Sequence, residues 1–206
     1  MILISLFFFG FFAAFIGSIT PSMLNMTALK ISLEKGRTAS NKYALGVSLV
    51  VILQVIIAVI LTKYVAENPA ILETLEKAGI VIFIFLSYFF YSKSKKEKSK
   101  IETSKIKKEN LFLKGVTLSL LNMFGIPFFC GVATTLDYFN LFSFDIISIV
   151  FFTLSAGIGT FFILSLYGKF AKIIQKKTGK LTKDINLILA ILTGLVAVLS
   201  ILKLLF

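Results

Sequence analysis

ILISLFFFGFFAAFIGSITPSMLNMTALK, residues 2–30, is apolar from Ile2 to Ile16 and then interrupts itself at Gly17-Ser18-Ile19-Thr20-Pro21-Ser22. Apolar residues resume as far as Leu29, and the first charge is Lys30. A proline inside a helix removes one backbone hydrogen bond and clashes with the preceding turn, at about 3 kcal/mol. In hydrocarbon no water is present to satisfy the freed carbonyls, so such a break belongs where it faces protein or lines a water-filled cavity. The stretch therefore predicts a membrane helix broken at a binding or transport site.

The rest of the chain agrees with a membrane setting. Hydrophobic residues make up 57% of the 206 residues, and the mean hydropathy is +0.95. A spanning helix needs about 20 mostly apolar residues. Stretches 2–29, 43–61, 70–91, 115–136, 146–168 and 185–206 qualify, and they leave no room for a separate soluble domain. The third is the weakest, because Glu73, Glu76 and Lys77 fall in its first turns and place them at the interface.

Charge placement sets the expected topology. Nineteen of the 22 basic residues lie in alternate loops: Lys30 to Lys42, Lys93 to Lys114 and Lys169 to Lys183. The positive-inside rule puts these loops in the cytoplasm and both termini outside. The net charge of +12 has a mundane reading. The run SKSKKEKSKIETSKIKKEN (residues 92–110) has no aromatic residue for base stacking and no Arg for bidentate base contact. It reads as a cytoplasmic loop attracted to anionic headgroups, with no nucleic-acid partner. A secretory signal peptide is disfavoured too, since no Lys or Arg precedes Lys30.

Several chemistries fall away. There is no His, hence no His-ligated metal and no Ser-His-Asp triad, and the single cysteine, Cys130, forms no redox pair and reads as a small packed residue. Asp137, Asp145 and Glu67 all fall at loop edges, so no opposed carboxylates sit within the spans. Neither an enzyme nor a cofactor is expected.

The fourth stretch, with its lead-in LFLKGVTLSLLNMFGIPFFCGVATTLD (residues 111–137), repeats the design of the first, with Asn122 and Gly125-Ile126-Pro127 interrupting it. At 1.5 Å per residue each proline sits about 14–15 Å from the next charge, near the middle of a ~30 Å core. Segments one and four each open a group of three, and an odd number inverts the second group. The expectation is an all-α integral membrane protein of six helices in an inverted 3+3 repeat, with the first and fourth helices broken. Residues 1–91 form the first repeat, 92–110 the basic cytoplasmic loop and 111–206 the second repeat. Proline suits the first position of a helix, so Pro21 and Pro127 are expected to open half-helices, one capped by Thr20 or Ser18. Both N-termini would then offer N–H groups and positive dipole ends to an anion such as a carboxylate. Asn25 and Asn122 supply amides for a polar solute. The competing reading is that these residues only kink and pack helices.

The stretch from Gly17 through PSMLNMTALKISLEKGRTASNKYALGVSL resembles the N-terminal signature of the LysE-type amino-acid exporters: Pro21, the pair Gly36-Arg37 and Gly46 match in order and spacing. NPAILETLEKAGIVIFIFL, with Gly79, resembles that family's third span, and INLILAILTGLVAVLSILKLL, with Gly194, its closing helix. Asn122 matches the Asn of the family's Asn-Pro-Lys motif. Two departures stand out. The usual Pro-Gly-Pro is reduced to Ile19-Thr20-Pro21, and Met123-Phe124 replaces the Pro-Lys pair, which removes a cation near the site.

The resemblance implies a secondary transporter of the bacterial cytoplasmic membrane that exports an amino acid or related zwitterion by alternating access. It also suggests coupling to the proton-motive force, although no embedded carboxylate or His is present to carry the proton. Expected substrate-binding residues are Ser18, Thr20, Pro21, Ser22, Asn25, Asn122, Gly125 and Pro127. Lys35, Gly36 and Arg37 are the expected cytoplasmic gate or anchor. Membrane lipids are partners, and self-association is compatible with the sequence. The alternative is a non-transporting membrane scaffold or assembly factor whose breaks serve packing.

Overall fold

The computed structural model describes residues 2–19, 22–68, 110–122 and 124–176 without interruption. It also describes 80–81, 84–85, 87–89, 91–92, 187, 190–191, 194–195, 197–199 and 201–202. Among the described residues every regular element is helical: α1 (Ile2–Gly17), α2 (Met23–Lys35), α3 (Arg37–Glu67), α4 (Leu111–Leu120), α5 (Gly125–Tyr138) and α6 (Ile146–Lys169). Two compact units are formed, one from Met1–Tyr64 with Thr103–Gln175, the other from Val65–Glu102 with Lys176–Phe206. The division cuts across the two halves of the chain, and each unit draws the corresponding segments from both.

The first unit is held by close helix approaches that only small residues permit. Gly10 of α1 lies against the Phe152 carbonyl and the Ser155 hydroxyl of α6, and Gly159 of α6 lies in turn against the Phe11 carbonyl. The same reciprocity joins α3 to α4. A side chain at Gly46 would meet the Phe112 carbonyl, and one at Gly115 would meet the Tyr43 carbonyl. So the first interrupted stretch packs on a helix from the second half of the chain, and the second interrupted stretch packs on a helix from the first half.

Helix faces follow from this packing. Along α3, Tyr43, Val47, Val51, Val55, Ala58 and Val59 are buried, whereas Leu45, Leu49, Leu53, Ile57 and Ile60 are exposed. A helix apolar on its outer as well as its inner face suits lipid rather than water. Hydroxyls that would otherwise be orphaned donate to their own helix one turn back, as Ser48 to Ala44, Thr117 to Leu113 and Thr135 to Gly131. Others tie helices together: Ser32 donates to the Gly168 carbonyl at 2.6 Å and Ser40 to the Ala28 carbonyl at 2.8 Å. In the second unit, Ser87 donates to the Ala190 carbonyl at 2.9 Å, and Gly194 lies beside the Ser87 hydroxyl.

Among the described residues, α3 and α6 are each long and apolar enough to cross a membrane, and α4 with α5 makes a third span if the bent pair counts as one. The expected stretches 43–61 and 146–168 lie inside these two helices. At 16 residues α1 is about 24 Å long, short of a ~30 Å core by itself. The acidic first turns of the third stretch (Glu73, Glu76, Lys77), the basic loop from Lys93 to Glu109, and Gly79 lie outside the described residues.

Candidate functional site: two facing helix breaks

At the first break α1 ends in a loosening turn, with the Ser18 N–H on the Ala14 carbonyl (3.0 Å) and the Ile19 N–H on the Ile16 carbonyl (3.1 Å). Its last carbonyls then need donors. Asn25 of α2, 1% exposed, donates its amide Nδ2 to the Ser18 carbonyl at 2.6 Å. Tyr167, near the end of α6, donates its hydroxyl to the Ile19 carbonyl at 2.7 Å. The chain re-enters helix at Met23, where Ser22 is the N-cap and accepts from the Asn25 N–H at 3.5 Å. This corrects the expectation that Thr20 or Ser18 caps the half-helix. Ser22 caps because it is the last residue in extended conformation (φ −115°, ψ 172°), the geometry that aims a side-chain oxygen at the first turn. Ser18 contributes its carbonyl instead. Thr20 and Pro21 lie outside the described residues.

At the second break α4 ends at Leu120 and α5 begins at Gly125, with a 66° turn between them. Pro127 is therefore the third residue of α5 rather than its first, a correction of two positions. The reason is that no residue in the first turn has an intrahelical acceptor, so a proline costs little anywhere in it. The carbonyls at this break are again met from a neighbouring helix, although Ser119 also accepts from the Asn122 N–H at 3.0 Å. Gln54 of α3 donates Nε2 to the Ser119 carbonyl at 3.1 Å and to the Asn122 carbonyl at 3.0 Å. Asn122 thus enters the site through its backbone. The N-terminus of α5 has no side-chain cap, and Gly125 lies directly against the Gln54 side chain.

The two breaks meet. A Cβ at Gly17, the last residue of α1, would collide with the ring of Phe128, the residue after Pro127. Phe128 of α5 thus packs on the last residue of α1, next to Ser18 at the first break and next to Pro127 at the second. Cys130, half-buried one turn further along α5, points its thiol at the Ala58 carbonyl of α3 at 3.5 Å, in keeping with a packing role.

Lys35, Gly36 and Arg37 lie elsewhere. The thirteen residues of α2, about 20 Å, separate them from Ser22. Gly36 alone joins α2 to α3, at φ +85°, a conformation that other residues resist. Lys35 suits the negative end of α2, but Arg37 is exposed at the positive end of α3, where a cation gains nothing from the helix. At the opposite end of the unit, Asp145 caps α6 and accepts from the Ser148 N–H at 3.0 Å. Hydrogen bonds from the Ser143 and Ser148 hydroxyls hold its carboxyl well below the usual carboxylate range.

Gln54 and Tyr167 were missed by sequence reasoning. The signal for Gln54 was present, since an amide within VVILQVIIAV is costly unless paired. Tyr167 carried none, because a tyrosine at a span's end is ordinary interfacial composition.

Apolar outer faces, small-residue contacts and two helix interruptions brought together define an integral membrane protein built around discontinuous helices. Residues 15–204 match the family model described as LysE type translocator, and the chain belongs to that family. It is thus a membrane transporter protein by family. No curated protein and no solved structure matches it.

Proposed function

We propose that this protein exports an amino acid or a similar small zwitterion across the cytoplasmic membrane by alternating access. Six spans form an inverted 3+3 repeat, with the Lys-rich loops in the cytoplasm and both termini outside. The solute site lies at the paired breaks and is built from Ser18, Thr20, Pro21, Ser22, Asn25, Asn122, Gly125 and Pro127. Lys35, Gly36 and Arg37 act at the cytoplasmic surface as a gate or anchor.

The observation that carries this reading is the contact between Gly17 and Phe128, which brings two helix interruptions from opposite halves of the chain face to face. A single break is adequately explained by packing. Two that meet are the arrangement expected of a carrier site formed by half-helices. A scaffold without transport is favoured by one fact, that Asn25 already serves the Ser18 carbonyl. Counterflow into proteoliposomes preloaded with each of the twenty L-amino acids separates the two. At least one labelled amino acid should accumulate above protein-free vesicles; the scaffold reading requires that none does.

A further inference from the structure

Gln54 does more at the second break than close off α4. The side chain is 5% exposed, and both Nε2 hydrogens are engaged by the Ser119 and Asn122 carbonyls. Those two acceptors also settle which way the amide faces, because the flipped arrangement would set Oε1 against two carbonyl oxygens. Oε1 is thereby fixed on the other side, where it is closed off from solvent and has no hydrogen-bond partner. It is aimed at the N-terminus of α5: a Cβ built on Gly125 would lie 2.5 Å from it. That N-terminus has no side-chain cap, and Pro127 has no N–H to offer. The donors left at the start of α5, around the Gly125 that Oε1 abuts, are the Gly125 and Ile126 amides.

We infer that Gln54 is a solute-binding residue whose Oε1 accepts a hydrogen bond from the ammonium group of an α-amino acid, while the Gly125 and Ile126 amides receive its carboxylate. The inference rests on the reading of the breaks as the solute site. A rigid acceptor beside an uncapped helix N-terminus discriminates by charge pattern. A plain carboxylate is welcomed by the amides but faces the lone pairs of Oε1. A plain amine suits Oε1 but faces the positive end of α5. Only a molecule carrying both groups one carbon apart satisfies both sides. Gly125 is needed because any side chain there occupies the space Oε1 looks into. Since Oε1 is sealed and Phe128 is packed on Gly17, this conformation is closed, and the solute enters when the breaks separate.

The test is binding, measured as ligand-induced thermal stabilisation of the purified full chain in detergent. The probes are the twenty L-amino acids, their deamino acids (hydrogen in place of the amino group) and their decarboxylated amines. At least one amino acid should stabilise the parent, with both truncated analogues weaker by about tenfold or more. Gln54→Met keeps the length and loses the acceptor. It should weaken the amino acid and, by removing the lone pairs that oppose a bare carboxylate, strengthen the deamino acid, so that the preference between them is lost. Gln54→Glu, kept protonated by burial against two carbonyl oxygens, retains the acceptor oxygen and one donor, and should retain the preference, which covers the case in which the Met variant does not fold. A merely structural Gln54 would lower the unliganded melting temperature in both variants without changing the ratio between amino acid and deamino acid. The inference is overturned if no amino acid stabilises the parent, if Gln54→Met keeps the parental ratio, or if Gln54→Glu loses it. Binding of the expected pattern without counterflow would instead retire the exporter reading and leave this assignment standing.

Discussion

A carbonyl freed by a helix break in hydrocarbon has to find a donor, and at both breaks the donor comes from a different helix. Tyr167 answers Ile19, and Gln54 answers Ser119 and Asn122. Hydrogen bonds between membrane helices are worth about 0.6 kcal/mol on average and up to about 1.7. Tyr167→Phe should therefore lower the thermal midpoint modestly, and Gln54→Met, which removes two bonds, by more. A reversed order would mean that the Asn122 carbonyl finds another donor when Gln54 is gone, as Ser119 already has one in the Asn122 N–H. The oddity of a glutamine in span two was legible in the sequence; its targets were not, since they depend on which helix packs beside which. At the rim, Asp145 is more acidic when folded than when unfolded. The unfolded chain therefore takes up the proton first as the pH drops. The stabilisation by this carboxylate is complete above the ordinary value of 3.8 and is lost as the pH falls below it towards the lowered folded value. The difference in melting temperature between the parent and Asp145→Ala should be constant from pH 7 to pH ~5 and shrink in stronger acid. A difference that already shrinks between pH 7 and pH 5 would show that another group is titrating.

Elements are set by glycines as much as by apolar runs. Gly46 and Gly115 let α3 and α4 touch backbone to backbone, so a side chain at either has no flexible neighbour to push aside. Gly46→Leu should destabilise by about 1–3 kcal/mol or more. Gly131→Ala, where nothing lies within 4 Å, should be neutral or slightly stabilising, because Ala favours helix. Thermal unfolding of the two variants side by side checks this; equal losses would mean that the close approach does not decide the packing. The positions of the breaks and the bulk of α3 and α6 could be read from the sequence, because proline and a long apolar run act locally. Where each half-helix restarts could not. Ser22 and Gly125 owe their places to caps and first-turn geometry, which Thr20, Ser18 and Pro127 satisfied equally well on paper.

At the scale of the whole chain, the interlocking of the halves is what composition could not show. α1 packs on α6 and α3 on α4 through reciprocal glycines, so helices from the two halves of the chain cover one another. Periodicity reports which face of a helix is apolar and says nothing of which helix covers it. Topology rests on charge instead. With 19 of the 22 basic residues in alternate loops, Ser99→Cys in a Cys130→Ser background should resist an impermeant thiol reagent in intact cells and react after permeabilisation. Labelling in intact cells would place that loop outside.

The central claim, that solute passes at the two facing breaks, is tested most directly by amino-acid counterflow through Pro21→Ala and Pro127→Ala, each corrected for the amount inserted. Alanine lets a helix run on and leaves insertion intact. Transport should therefore collapse in each variant while the inserted amount holds, and the double variant should be no worse than the worse single one, because both act on one site. Parental counterflow in both inserted variants would contradict the account, leaving the breaks as packing features only.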